Sequence, residues 1–155
     1  MKLPIKITTN STAETEAIGT ELAQAILSDA SLPRFVALYG DLGVGKTAFV
    51  RGFTSHVAPS ARVKSPTFAL VNEYKGARLS VFHFDMYRIV DEDDLYSIGF
   101  YDYFDRNGIC LTEWSENIEY ALPSTYIMAK IEKCSAKTPD TRQIEICVVN
   151  TEKGA

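Results

Sequence analysis

Phe35-Val36-Ala37-Leu38-Tyr39-Gly40-Asp41-Leu42-Gly43-Val44-Gly45-Lys46-Thr47 runs, in order, through a short apolar stretch, a glycine-rich turn and the first residues of a helical pattern. Pro33 and Gly40 bound the apolar stretch, which therefore reads as a buried strand. From Lys46 to Val57, Phe49, Val50 and Phe53 recur at a spacing that places them on one helical face, turned toward a sheet. Gly40 to Thr47 satisfies G-x-x-x-x-G-K-[ST] without a mismatch, with a strand before it and a helix after it. Glycines in such a turn let backbone N–H groups face a phosphate, and the helix that follows adds its positive end.

Working outward, Ile18, Leu22, Ala25 and Ile26 recur at helical spacing between Ser11 and Leu27, and Ser11 with Glu14 resembles a capping box. Beyond the second helix, Ser65-Pro66 marks a loop. Phe68 to Tyr74 and Arg78 to Phe84 then read as a β-hairpin around Lys75-Gly76-Ala77. Asp91 is the expected N-cap of a short acidic helix that Gly99 closes, and Tyr101, Tyr103 and Phe104 form an aromatic segment. Ile109 to Glu113, Tyr126 to Ile131 and Ile144 to Val149 read as further strands, the last two separated by a loop containing Pro139. The pattern predicts an α/β fold: one P-loop NTPase domain over residues 1–155, with a mixed parallel and antiparallel sheet flanked by helices.

With 155 residues and 46% hydrophobic content, the chain is sized for one core. The formal net charge of -4 supplies no field to gather a nucleic-acid backbone, so DNA binding is not expected and any nucleic-acid contact would have to be local or borrowed from a partner. Arg51, Arg62 and Lys64 read as a solvated surface. The N-terminal residues lack the apolar run, about 7 to 15 residues long, of a secretory signal, and no stretch approaches the roughly 20 apolar residues of a membrane span. A cytoplasmic location without membrane contact is the expectation. Cys110, Cys134 and Cys147, odd in number and widely spaced, read as buried thiols.

The phosphate-binding turn assigns Asp41, Leu42, Gly43, Val44, Gly45, Lys46 and Thr47 to the nucleotide, with Lys46 bridging phosphates and the Thr47 hydroxyl placed for Mg²⁺. A carboxylate at the end of a neighbouring strand is then needed, and Asp85 and Glu113 both meet that requirement. Thr67 lies where a switch loop would reach the terminal phosphate, or else serves only local backbone groups. His83, inside an alternating strand, reads as a satisfied structural histidine rather than a base. Trp114, the single tryptophan, is either a core residue or, because it adjoins Glu113, a side chain beside the nucleotide or at a partner surface, and its place favours the second.

Taken together, GDLGVGKT at 40–47, VKSPTFALVNEY at 63–74, FHFDMYR at 82–88 and CLTEWSE at 110–116 closely resemble the TsaE (YjeE) family of bacterial ATPases, as does the helix start from Ser11 to Thr15. The resemblance implies a part in making N6-threonylcarbamoyladenosine at position 37 of tRNAs that read codons beginning with adenine. It also implies the TsaB and TsaD proteins as partners, tRNA contact only indirectly, and ATP with Mg²⁺ as ligands. Carried over by position, it makes Lys46 and Thr47 the phosphate and magnesium contacts, Glu113 the second magnesium ligand and Asp85 an acid needed near the γ phosphate. It likewise puts Thr67 in the switch-like loop, Trp114 close to the nucleotide and Ser11 near the base. Val44, Ala48 and Thr112 depart from the residues usual in the family, and none removes a group the chemistry uses.

Two other functions share a P-loop. A small kinase would need an acceptor pocket and an Arg-rich lid, whereas Asp91 to Asp105 is acidic and aromatic. A non-catalytic nucleotide sensor would bind without hydrolysis. Guanine reading is disfavoured because the N-K-x-D pattern is absent. No arginine is committed as a finger in cis; Arg88 is one candidate and a partner is the other source, which would make the isolated ATPase slow.

Overall fold

The structure, a computed structural model, describes residues 1–41 and 43–152. The apolar run is strand β2, Phe35–Tyr39, and it lies in the middle of the sheet. It follows β1, Ile5–Thr9, and helix α1, Thr12–Ser28, and it leads into α2, Lys46–Val57. Next come β3, Val71–Lys75, β4, Ser80–Asp85, α3, Glu92–Ser97, and β5, Gly108–Glu113. The described chain closes with β6, Thr125–Ser135, and β7, Thr138–Asn150. The strands form one seven-stranded sheet in the order β1-β7-β6-β2-β5-β4-β3. β2 runs parallel to β5 and β6, and β4 parallel to β5; β3, β7 and β1 add antiparallel margins. The mixed α/β sheet expected from the sequence is thus present.

Alternation along β2 sends its side chains into two cores. Val36 and Leu38 meet the side covered by α1 and α2, with Leu22, Phe49 and Phe53 fully buried there. Phe35 and Ala37 face the opposite side, where Phe84 and Phe100 are buried under the short 3-10 turn Phe100–Asp105. Phe100 stacks edge-on against Phe84 with centroids 5.2 Å apart. Helices α1 and α2 cross at small residues: a Cβ added at Gly52 would lie 1.8 Å from the Glu16 carbonyl oxygen. The Thr20 hydroxyl donates to the Gly52 carbonyl at 2.8 Å across the same seam.

Several expectations are corrected. The segment Ile5–Thr9, not assigned as a strand from the sequence, pairs antiparallel with β7, its Ile5 and Ile7 packing against the α1/α2 core. The strand expected from Phe68 begins at Val71, because Leu70 has a left-handed backbone (φ 68°) and the segment before it is a turn that leaves Phe68 85% exposed. Pro139 lies not in a loop but in β7, beside a register irregularity between Lys133 and Ser135 where a missing ladder donor is tolerated. Only Cys110 of the three thiols is buried; Cys134 is exposed and Cys147 half-buried. Burial pushes the Cys110 thiol up to about 12. Among the described residues no helix is long and apolar enough to cross a membrane.

Candidate functional site

At the carboxyl ends of the parallel strands, where open α/β sheets bind ligands, a cavity of about 580 Å³ is lined by Gly43, Gly45, Lys46, Thr47, Ser65, Thr67, Asp85, Tyr87, Glu113 and Trp114. Its floor is the start of α2. Helices α1 and α3 are capped by their own residues, Ser11 accepting from the Glu14 N–H and Asp91 from the Asp94 N–H, both at 3.1 Å. The N-cap of α2 is Gly45, which makes no side-chain capping bond, and no acidic residue sits in the first turn. Gly45 adopts φ 109°, a conformation that favours glycine. The first N–H groups of α2 therefore have no capping side chain among the described residues, and the helix dipole there favours an anion.

Lys46 is 95% buried at the cavity wall; its ammonium donates to the Gly40 carbonyl at 2.6 Å and sits 4.1 Å above the Trp114 ring. Trp114 holds a left-handed backbone, φ 58°, and packs against Tyr87 with ring centroids 5.0 Å apart. It shares that unusual conformation with Leu70 alone among the described non-glycine residues. Both adjoin the carboxylates: the Asp85 N–H donates to the Leu70 carbonyl at 3.0 Å, and Trp114 follows Glu113 directly. Such strain of about 1–2 kcal/mol persists only where the surroundings impose it.

Asp85 and Glu113 end adjacent parallel strands and are paired in register. Both are nearly buried. Asp85 Oδ1 accepts from the Tyr87 N–H at 3.0 Å. Glu113 Oε2 is hydrogen-bonded to Nε2 of the fully buried His83. His83 is thus tied to the site, and its Nδ1 has no partner, so it is not the fully satisfied structural histidine expected from the strand pattern. The signal was present: His83 and Asp85 are two apart on one strand and share a face.

The remaining expected residues divide. Thr47 and Thr67 line the main cavity, with the Thr67 hydroxyl 3.1 Å from that of Ser65. Ser11 lies instead on a neighbouring cavity of about 370 Å³ that shares Gly43 and Gly45 with the first and also includes Thr15, Val44, Ala48 and Arg142. Asp41 lines neither; it faces a third cavity with Tyr39 and Lys130. Val44 contributes its side chain to the core and its carbonyl to Arg142, whose Nε donates at 2.8 Å. Leu42 lies outside the described residues. Arg88 is stacked 5.0 Å from the ring of exposed Phe68 and does not line the cavity. Arg142 and Tyr87 were not read from the sequence as site residues; nothing local distinguishes them.

The donor set fits magnesium. Thr47, Asp85 and Glu113 offer hard oxygens, and Mg²⁺ is held by one or two carboxylates plus substrate phosphates rather than by an all-protein cage. Accordingly, the described residues contain no cluster of three or more His, Cys, Asp or Glu arranged to hold a metal alone. Charge points the same way. One lysine faces two carboxylates in this lining, so a polyphosphate entering without a cation would meet net repulsion.

The family model described as "Threonylcarbamoyl adenosine biosynthesis protein TsaE" matches residues 9–144. A Haemophilus influenzae protein named tRNA threonylcarbamoyladenosine biosynthesis protein TsaE is 42% identical over 111 residues, covering 72% of this chain and 68% of that protein. A Bacillus subtilis protein of the same name is 37% identical over 114 residues, covering 74% and 69%. The crystal structure of Bacillus subtilis YdiB superposes with a TM-score of 0.73 at 31% identity, covering 98% of this chain and 90% of that one.

Proposed function

The chain belongs to the TsaE family, and we propose that it binds Mg·ATP on the Gly43–Thr47 turn, hydrolyses it, and supports threonylcarbamoyladenosine formation on tRNA together with TsaB and TsaD. The names of its relatives support the pathway. One observation supports the chemistry: Lys46, Thr47, Thr67, Asp85 and Glu113, drawn from four separate segments, line one cavity at the uncapped start of α2.

In this reading, the free N–H groups of α2 and the Lys46 ammonium hold the β and γ phosphates and offset charge that grows in the transition state. Lys46 gives up the Gly40 carbonyl and the Trp114 face to do so. Thr47 and Glu113 hold the metal. Magnesium, when bound, neutralises phosphate charge and orients the leaving group. Asp85, kept in place through the Tyr87 N–H, orients the attacking water, and Thr67 closes over the γ phosphate. Ser11 borders the cavity left for the base. No arginine lines the main cavity among the described residues, so turnover is slow alone and faster when a partner contributes a positive charge.

Calorimetry with Mg·ATP, followed by phosphate release with and without TsaB and TsaD, tests this. Expected are binding that weakens without Mg²⁺, slow release by the isolated protein, acceleration by the pair, and loss of release but not of all binding in Glu113→Ala. Absence of Mg·ATP binding by folded protein would overturn the reading; binding without phosphate release under any condition would leave a nucleotide sensor in its place.

A further inference from the structure

We propose that His83 is a positioning residue for the metal: through Nε2 it fixes one oxygen of the Glu113 carboxylate and so presents the other to Mg²⁺. The inference rests on the nucleotide-site reading above and adds a residue that this reading does not use. His83 is fully buried in β4, and Glu113 is 95% buried at the end of β5. His83 is sealed from water and Glu113 is open only on its cavity side, and the bond between His83 Nε2 and Glu113 Oε2 is the only hydrogen bond to either side chain among the described residues.

The orphaned ring nitrogen assigns the tautomer. Were the proton on Nδ1, a buried N–H would stand without an acceptor and the Nε2 lone pair would face the acceptor-only carboxylate; with the proton on Nε2, the ring donates to Oε2 and leaves only Nδ1 unpaired. The ring packs beside that of Tyr74, with centroids 6.3 Å apart and planes tilted by 36°. Tyr74 is itself pinned, its hydroxyl donating to the Lys64 carbonyl at 3.0 Å and accepting from the Lys64 N–H at 3.0 Å. A chain of contacts therefore runs from the segment before β3, through Tyr74 and His83, to the carboxylate on the cavity wall. Ligating carboxylates are commonly oriented by such outer partners, whose loss costs about 10–100-fold in metal affinity. His83 cannot act as a general base on substrate from a position with no solvent or cavity access.

The test measures Mn²⁺ affinity, with Mn²⁺ standing for Mg²⁺, by electron paramagnetic resonance on the full chain saturated with ADP, beside ADP affinity in EDTA. His83→Leu should weaken Mn²⁺ binding about 10-fold or more while metal-free ADP binding stays unchanged. In His83→Gln the side-chain amide reaches the Nε2 position and should recover most of the loss; the shorter amide of His83→Asn should not. Parental Mn²⁺ affinity in His83→Leu, with Glu113→Gln impaired, overturns the positioning role and leaves the site reading intact. If His83→Leu does not fold, equal affinities in the Gln and Asn variants overturn it. Parental affinity in Glu113→Gln sinks the ligand assignment itself, and with it this proposal.

Discussion

Replacing Gly52 by alanine should cost about 2 kcal/mol of stability and weaken nucleotide binding, although alanine is the better helix former. The new methyl would stand 1.8 Å from the Glu16 carbonyl oxygen, where ordinary contact begins near 3.4 Å, so α1 and α2 must part by about 1.6 Å. Overpacking of this kind costs about 1–3 kcal/mol. Parting the helices also breaks the 2.8 Å bond from Thr20 to the Gly52 carbonyl, about 0.5–1.5 kcal/mol. Against this stands a gain of about 1 kcal/mol in helix propensity. The net should lower Tm by about 4–8 °C, at about 2–4 °C per kcal/mol for a chain of this size. Because α2 begins with Lys46 and Thr47, its displacement should also raise the Kd for Mg·ATP. Thermal unfolding by circular dichroism, with calorimetric titration, measures both. Arg51→Ala is the control: it removes the half-exposed Glu16 pair at 2.6 Å and should cost no more than about 1 kcal/mol. A Gly52→Ala protein that melts at or above the parent temperature would refute the close helix approach on which the estimate rests.

Emission from Trp114, the single tryptophan, should change when Mg·ATP draws Lys46 from its place 4.1 Å above the ring; an unchanged spectrum at ligand levels that calorimetry shows to be saturating would contradict that movement. Arg142→Ala should weaken Mg·ATP binding about 10-fold by freeing the Val44 carbonyl, a charge-assisted bond of about 1.5–3 kcal/mol discounted for partial exposure; titration calorimetry checks it, and parental affinity would count against a role for β7 in shaping the turn. Burial raises the Cys110 thiol from 9.0 to about 12, so the unfolded chain releases this proton first as pH rises. That contribution to stability is complete below about pH 9 and is lost toward pH 12, at no more than about 1.4 kcal/mol per pH unit. Urea midpoints at pH 8, 10 and 11 should show a decline that Cys110→Ala reduces.

The central strand, the turn and α2 were legible because a continuous apolar run, glycines and a helical repeat each carry local physical meaning. The acidic ends of β4 and β5 were legible as single residues, but that they stand side by side depends on strand order, which no local pattern encodes. His83 shows the limit. Alternation on its strand marks the face it shares with Asp85, yet its partner is Glu113, a residue that only the parallel pairing of β4 with β5 brings near. Strand β1 escaped because only Ile5 and Ile7 alternate, and its pairing with β7 spans nearly the whole sequence. Arg142 was silent for the same reason. Phe68 misled in the opposite direction: an aromatic beside β-formers suggests a strand, and the left-handed Leu70 ends that possibility.

The margin formed by β1 and β7 bears on synthesis as well as on shape. Among the described strands β1 is made first, but its ladder partner is made last. During translation, Ile5 and Ile7 therefore have no strand to pair with until β7 is made. A nascent chain halted before Thr138 would hold a helix pair and an unfinished sheet, with the free side of β6 exposed and prone to wrong pairings. Arrest at that length, followed by protease challenge, should leave the first residues open to cleavage, and release of a chain that includes β7 should seal them.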